Sequence, residues 1–449
     1  MSRKPAHIIG LGRSGQAAAN WLLLHNWDVV VSDDAGEDKL AAAAQKLQIS
    51  GAVVCLGGHS EALKVPVDLV VVSPGVPMNH PAILTRLSQG VEVIGELELG
   101  WRNSRGAIAA ITASNGKSTA TALTGEIFAA SGRPAFTAGN IGIPLISIAG
   151  QTSPDSLIAV EVSSYQLESI KTFKPKAAAI LNITPDHLQR HGTFEAYTGA
   201  KSRLCMNQDV DDFLIYNADD KIVCDITHGV RSQKIPFSTE RQLEFGGWIA
   251  GGAMHLSPTK ESQHYTLPRS ALALPGVHNT QNALAAILSA LACGVKWQAI
   301  ECGVRNFKGL PHRLEFVRRL NGVNWINDSK ATNVDSGLTA LKALNAPIIL
   351  IAGGRPKGGG FKDLRPLMKA KVKSLIVLGE AAAEIAADLG DLCSTHFVHN
   401  LEEAVHFARQ TTAAGDTVLL SPLCASFDMF DNFEQRGDVF KELVGKLES

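Results

Sequence analysis

The residues best suited to do chemistry in this chain are Thr112-Ala-Ser-Asn-Gly-Lys-Ser-Thr119, which directly follow the apolar run 107–111. A strand entering a Gly-Lys-Ser turn and then a helix, here 120–130, is the layout of a phosphate-binding loop. Backbone N–H groups at the helix N-terminus face phosphate oxygens, and the helix dipole favours their charge. In that layout Lys117 pairs with the β- and γ-phosphates and the Ser118 hydroxyl reaches Mg²⁺. Ile111 stands where the usual G-x-x-x-x-G-K-[ST] has its first glycine, so an ordinary strand–turn–helix also fits the octapeptide.

A second glycine turn, Gly10-Leu-Gly-Arg-Ser-Gly15, follows the first apolar strand and opens a helix, with Asp33 and Asp34 about 20 residues on. It suits a nicotinamide or flavin dinucleotide, but any nucleoside diphosphate, a UDP-sugar included, meets the same requirement. Glu161 closes the apolar strand 157–162, where a parallel sheet places ligand chemistry; it could hold Mg²⁺ or simply cap a helix. Asn182-Ile-Thr-Pro-Asp-His187 also follows a strand, and His187 could ligate a metal. Lys201, on the helical stretch 194–206, reads by itself as a solvated charge. Asn279 and Asn282 share a helix face, where two amides can read an adenine edge or cap the helix. Further on, Asn327-Asp-Ser-Lys-Ala-Thr-Asn333, Gly353-Gly-Arg-Pro-Lys-Gly-Gly-Gly360 and Ser421-Pro-Leu-Cys-Ala-Ser-Phe-Asp428 each follow a strand. Three such loops make one lip of a site, and turn chemistry does not explain their recurrent Lys, Ser and Asp.

The elements that must position these residues repeat as apolar strand, glycine turn and helix, the pattern of α/β domains with mainly parallel sheets. Strands are expected at 7–10, 28–32, 69–73, 157–162, 177–181, 213–216, 325–327, 348–351, 375–378 and 417–420, and helices at 16–25 and 279–292. At 449 residues the chain exceeds one core, and residues 307–312 read as a linker. Three domains are predicted: a Rossmann-like one over 1–95, a central parallel sheet of the P-loop ATPase type over 96–309, and a second Rossmann-like one over 310–449.

Lysine and arginine number 42 against 43 acids, a net charge of −1, so no global field draws nucleic acid or an anionic membrane. The seven cysteines form no C-x-x-C pair and suggest a reducing cytoplasm. The start, Met-Ser-Arg-Lys-Pro, leads into a strand rather than a signal core, and no apolar run is long enough to span a membrane.

Taken together, the motifs resemble the Mur ligase family over essentially the whole chain. The resemblance rests on residues 112–119, Glu161-Val-Ser-Ser-Tyr-Gln166, Asp186-His187, Ala200-Lys201, Gly276-Val-His-Asn279 with Asn282, Pro311-His-Arg-Leu-Glu315 and residues 327–332. The run 421–433 followed by Gln435-Arg436-Gly437 discriminates best among sister ligases and favours a glutamate-adding member. The resemblance implies ATP-dependent amide formation through an acyl phosphate, in peptidoglycan precursor synthesis. Its implied partners are UDP-N-acetylmuramoyl-L-alanine, D-glutamate and ATP, handled by a cytoplasmic monomer, although the sequence does not itself separate D- from L-glutamate.

By the same resemblance, Thr112, Ser114, Asn115, Gly116, Lys117, Ser118 and Thr119 bind ATP, with Asn279, Asn282, Arg313 and Asp328. Lys117, Glu161, His187 and Lys201 form the catalytic set. Two Mg²⁺ ions are implied, held among Ser118, Glu161, His187 and a carbamate on Lys201. Ser14, Ser73 and Asn140 are implied in uridine or muramoyl contacts, and Lys330, Thr332, Lys357, Ser426 and Phe433 in the glutamate pocket.

Some positions depart from the family pattern. Ala113 replaces a glycine, at a cost of about 1 kcal/mol if that position needs a positive φ. Gln189 replaces an acid, Pro356 and Gly360 replace acids of the third-domain loop, and Ala35 stands where some members carry a phosphate-binding arginine. Two other readings compete. A catalytically silent Mur-like nucleotide binder would lack Lys117, Glu161, His187 or Lys201, yet all are present. A nicotinamide dehydrogenase leaves the ATP loop and the third-domain lip without a role.

Overall fold

The computed structural model describes residues 3–356, 358 and 360–448. Its described residues form three sheets, each with helices between successive parallel strands. The first sheet has five parallel strands which, by first residue, lie in the order Val53, Trp27, Lys4, Leu69, Glu92. The chain runs outward from Lys4–Ile9 in one direction and then the other, leaving a switch point beside that strand. Val29, Val31, Val70 and Val71 are buried because both faces of a parallel sheet are covered.

The second sheet has nine strands in the order Tyr265, Ala253, Gly246, Gln233, Phe213, Ala177, Ala107, Leu157, Ala135. Ala107–Thr112 is third from one end, with Ala177–Ile180 on one side and Leu157–Glu161 on the other, so Thr112 and Glu161 emerge at one edge. The last three strands, Gly246–Ala250, Ala253–Ser257 and Tyr265–Pro268, form an antiparallel meander that the sequence reading lacked. Its strands are only four or five residues long, and glycine, histidine and threonine interrupt their apolar residues, so no continuous apolar run marks them.

The third sheet runs Glu315, Val323, Thr417, Ile348, Val372, Ser394. Its first strand, Glu315–Leu320, is antiparallel to the next; it carries two arginines and was also not foreseen. The chain divides into two compact units. One extends to Leu272 and includes His278–Phe307, and the other comprises Ala273–Val277 and the residues from Lys308 onward. Among the described residues, no helix is long and apolar enough to cross a membrane.

Candidate active site

The phosphate-type loop is built by one glycine and two clamps. Gly116 caps the helix Lys117–Ala130 at φ 89°, where an L side chain is strained. A Cβ there would lie 2.3 Å from Asn282 Oδ1, so the helix Val277–Ala292 can approach only a glycine. The helix therefore begins at Lys117, three residues before its expected start. Asn182 accepts from the Asn115 N–H at 2.9 Å and donates back to the Asn115 carbonyl at 2.9 Å. The Ser114 hydroxyl meets the carbonyl and N–H of Thr184, each at 2.9 Å, and the Tyr197 hydroxyl. Ala113 is fully buried and is not among the residues of positive φ, so its replacement of glycine carries no strain.

Two amines converge on this loop. Lys117 Nζ donates to the carbonyls of Ala113 (2.7 Å) and Ser114 (3.0 Å). Lys201 Nζ donates to the same Ala113 carbonyl at 2.7 Å and to Thr112 Oγ1 at 3.2 Å, and it sits over the Tyr197 ring. Lys201 is 1% exposed, far from the solvated charge that its lone position suggested. Burial, and then repulsion from Lys117, holds its amine well below the usual lysine range, with Asp186 and Glu161 opposing.

Glu161 is 2% exposed and ends its strand. Its Oε1 accepts from Asn140 Nδ2 at 2.7 Å, whereas its Oε2 is buried without a hydrogen-bond partner among the described residues. A buried carboxylate oxygen left in this state suits a hard cation. Ser118, the second residue of the loop helix, is also buried. His187 lies in the left-handed region at φ 53°, stabilised by its own N–H donating to Asp186 Oδ1 at 2.9 Å. Its ring faces Tyr165 at 5.1 Å.

At the first glycine turn, Gly10 has φ 95°, and a Cβ on Gly15 would lie 1.9 Å from the Gly10 carbonyl. Ser73 Oγ donates to that carbonyl at 2.7 Å, and Ser14 is on the helix Arg13–Leu24 that the turn opens. Asp33 is engaged by its own backbone, accepting from Leu11 N at 2.6 Å and Ala35 N at 2.8 Å. Asp34 is flanked by His59 Nε2 (3.1 Å) and His80 Nε2 (3.2 Å).

These three residues are close enough together to hold a metal ion, but the proton logic points elsewhere. Arginine only donates, so Arg86 Nε fixes His7 Nδ1 as an acceptor (3.3 Å) and leaves the proton on Nε2. His7 then donates to Ser32 Oγ (2.7 Å), and Ser32 donates to His59 Nδ1 (2.6 Å). The His59 proton is thereby directed to the Asp34 side. The Ala82 N–H, donating to His80 Nδ1 at 3.2 Å, does the same for His80. Asp33 is thus held by backbone N–H groups, while Asp34 stays largely exposed beside the two histidines.

In the other unit, three loops meet at strand ends. Asp328 accepts from Leu314 N (3.1 Å) and Ser421 Oγ (3.2 Å), and burial pushes its carboxyl up to about 7. The Arg313 charge opposes that rise. Lys330 Nζ lies 5.0 Å from the Phe433 ring, Thr332 N bonds the Lys330 carbonyl, and Ser426 is buried. Gly354 and Arg355 reach Ala425, joining the glycine loop to this lip. Lys357 lies outside the described residues. Arg436 binds Ser329 Oγ and the carbonyls of Ser329 and Cys424, tying two of the loops together. Neither Arg436 nor the Asn182 clamp was singled out from the sequence, although both lie within quoted motifs.

With this geometry in view, comparison with known proteins is informative. Residues 4–95 match the Mur ligase MurD-like N-terminal domain, 111–290 the Mur ligase middle domain, and 312–424 the Mur ligase glutamate ligase domain. The chain is 43% identical over 448 residues to a UDP-N-acetylmuramoylalanine–D-glutamate ligase of Pelotomaculum thermopropionicum, covering 99% of this chain and 98% of that protein. A protein of the same name from Alkaliphilus metalliredigens is 44% identical, covering 100% and 99%. In fold, the chain is similar to UDP-N-acetylmuramate-alanine ligase of Thermotoga maritima (17% identity, TM-score 0.61, 98% and 99% covered). It is similar likewise to a pseudomurein peptide ligase type C of Methanothermus fervidus (19% identity, TM-score 0.61, 99% and 100% covered).

Proposed function

The chain belongs to the Mur ligase family, and we infer that it joins D-glutamate to UDP-N-acetylmuramoyl-L-alanine in an ATP-dependent step of peptidoglycan precursor synthesis. An oxygen of the alanyl carboxylate attacks the γ-phosphorus, the bond to ADP breaks, and an acyl phosphate forms. The glutamate amine attacks the acyl carbon, loses a proton and expels phosphate. One observation carries the chemistry: Lys117 and Lys201 crowd one loop carbonyl while Glu161 keeps a buried oxygen unpaired nearby in the same unit. Carboxylate and triphosphate repel each other, so a site that joins them must be rich in positive charge.

Mg²⁺, when bound, neutralises phosphate charge. Ser118 and Glu161 are the residues proposed to hold it, with a second ion near His187. The low-lying amine of Lys201 supports a carbamate: the neutral nitrogen bonds CO₂ and releases a proton, turning a cation into an anion. The loop 112–119 with Asn279, Asn282, Arg313 and Asp328 is assigned to ATP. Ser14, Ser73 and Asn140 are assigned to the UDP-sugar, and Lys330, Thr332, Lys357, Ser426 and Phe433 to glutamate. A cytoplasmic monomer acting on small molecules completes the reading.

The test is phosphate release in the presence of ATP and Mg²⁺. It should require both UDP-N-acetylmuramoyl-L-alanine and D-glutamate, with the product mass equal to one amide adduct. Full-rate release with either omitted would overturn coupled ligation.

A further inference from the structure

Arg190 joins two loops that the reaction uses separately. Its Nη2 donates to Glu168 Oε2 at 2.7 Å and to the Val76 carbonyl at 3.0 Å, and its Nη1 donates to the Gly75 carbonyl at 3.2 Å. The guanidinium also lies 4.9 Å from the Tyr165 ring centre, and the side chain is only 13% exposed. With the Pro74 carbonyl at 3.5 Å as well, a planar fork held by a carboxylate, three carbonyls and an aromatic face has one orientation available.

One end of this bridge leads to the proposed UDP-sugar turn and the other to His187. Residues 73–76 pack on the first glycine turn: a Cβ on Gly10 would lie 2.8 Å from Ser73 Cβ and 2.9 Å from Val76 Cγ2. On the other side, Arg190 belongs to the short helix Leu188–His191, and its N–H donates to the His187 carbonyl at 3.0 Å. The Tyr165 ring beneath the guanidinium also faces the His187 ring. Glu168, which holds Arg190, lies 3.4 Å from His191 Nδ1 as well. His187 is in the left-handed backbone region and half exposed, and His191 at the end of the same turn also meets Ser164 Oγ at 3.0 Å.

We propose that Arg190 is a positioning residue that couples occupancy of the glycine-turn nucleotide site to the setting of the His187 turn. The inference rests on the UDP-sugar reading of that turn and deepens it. Binding that orders residues 73–76 fixes the three carbonyls that Arg190 meets, and Arg190 in turn fixes the turn on which His187 sits. Linkage makes the effect reciprocal.

The experiment is amide hydrogen exchange on the full chain with UDP alone, which lacks the muramoyl and alanyl groups. UDP should slow exchange at 10–15, at 73–76 and at 187–192. In Arg190→Ala the first two segments should still respond and the third should not. Turnover of that variant should fall about tenfold or more with the KM for ATP unchanged, and millimolar guanidinium should restore part of it. Arg190→Lys, which cannot bridge two loops as a fork, should recover little. Protection at 10–15 and 73–76 without any change at 187–192 in the parent chain overturns the coupling. So does a folded Arg190→Ala with parental turnover. No protection at 10–15 would instead count against the nucleotide reading itself.

Discussion

Lys117 and Lys201 donate to one oxygen: each Nζ lies 2.7 Å from the Ala113 carbonyl. Two ammonium groups so placed repel each other, and burial adds a larger penalty on Lys201. The amine able to combine with CO₂ is therefore selected by its surroundings. Lys201→Ala should lose activity by at least about 100-fold, equivalent to about 2.7 kcal/mol in the barrier. A small carboxylate such as acetate should restore part of it. Parental turnover in Lys201→Ala would remove the carbamate from the mechanism.

Gly116 is required twice, by its φ of 89° and by the approach of Asn282. Gly116→Ala should weaken ATP binding, measured by calorimetry, by about tenfold or more, since the left-handed backbone alone costs about 1–2 kcal/mol. Adding Asn282→Ala should relieve only the clash. Unchanged affinity in Gly116→Ala would show that the loop has another way to receive phosphate.

Ala113 is the counter-case. It needs no positive φ, so Ala113→Gly should not improve the enzyme. It should lower thermal stability slightly, by about 0.5–1 kcal/mol, from backbone entropy. A clear rise in activity would mean that the parental alanine is a defect.

Glu96 is buried, and its Oε1 accepts from the Ile146 N–H at 2.8 Å while Oε2 has no hydrogen-bond partner among the described residues. Burial, against these backbone hydrogen bonds, pushes its carboxyl up to about 7. A carboxyl raised above its unfolded value stabilises the fold fully below pH about 4.5, and that stability is lost as pH rises through about 7. The loss is on the order of 3 kcal/mol. Urea unfolding at pH 5.5 and pH 8.5 should show about 2 kcal/mol of it, and Glu96→Gln should flatten the difference. Equal pH dependence in parent and variant would assign it to other groups.

The glycine turns, the apolar strands and the phosphate-binding loop were legible in the sequence because each obeys a local rule. A parallel strand buried on both faces must be continuously apolar, and a helix N-terminus that receives phosphate must be preceded by a residue free to turn. Gly116 announces itself in this way, and so do Lys117 and Ser118. Lys201, Asn182 and Arg190 do not, because nothing within a few residues of a lysine says whether water surrounds it. Lys201 became a buried amine only when the strand ending at Thr112 and the helix Phe194–Ser202 met, and Arg190 became a bridge only when a loop 114 residues away presented the Val76 carbonyl. Local backbone preference was decided by the sequence. Desolvation and charge proximity, which set the chemistry of these side chains, depend on neighbours distant in the chain, and only the tertiary structure supplied those.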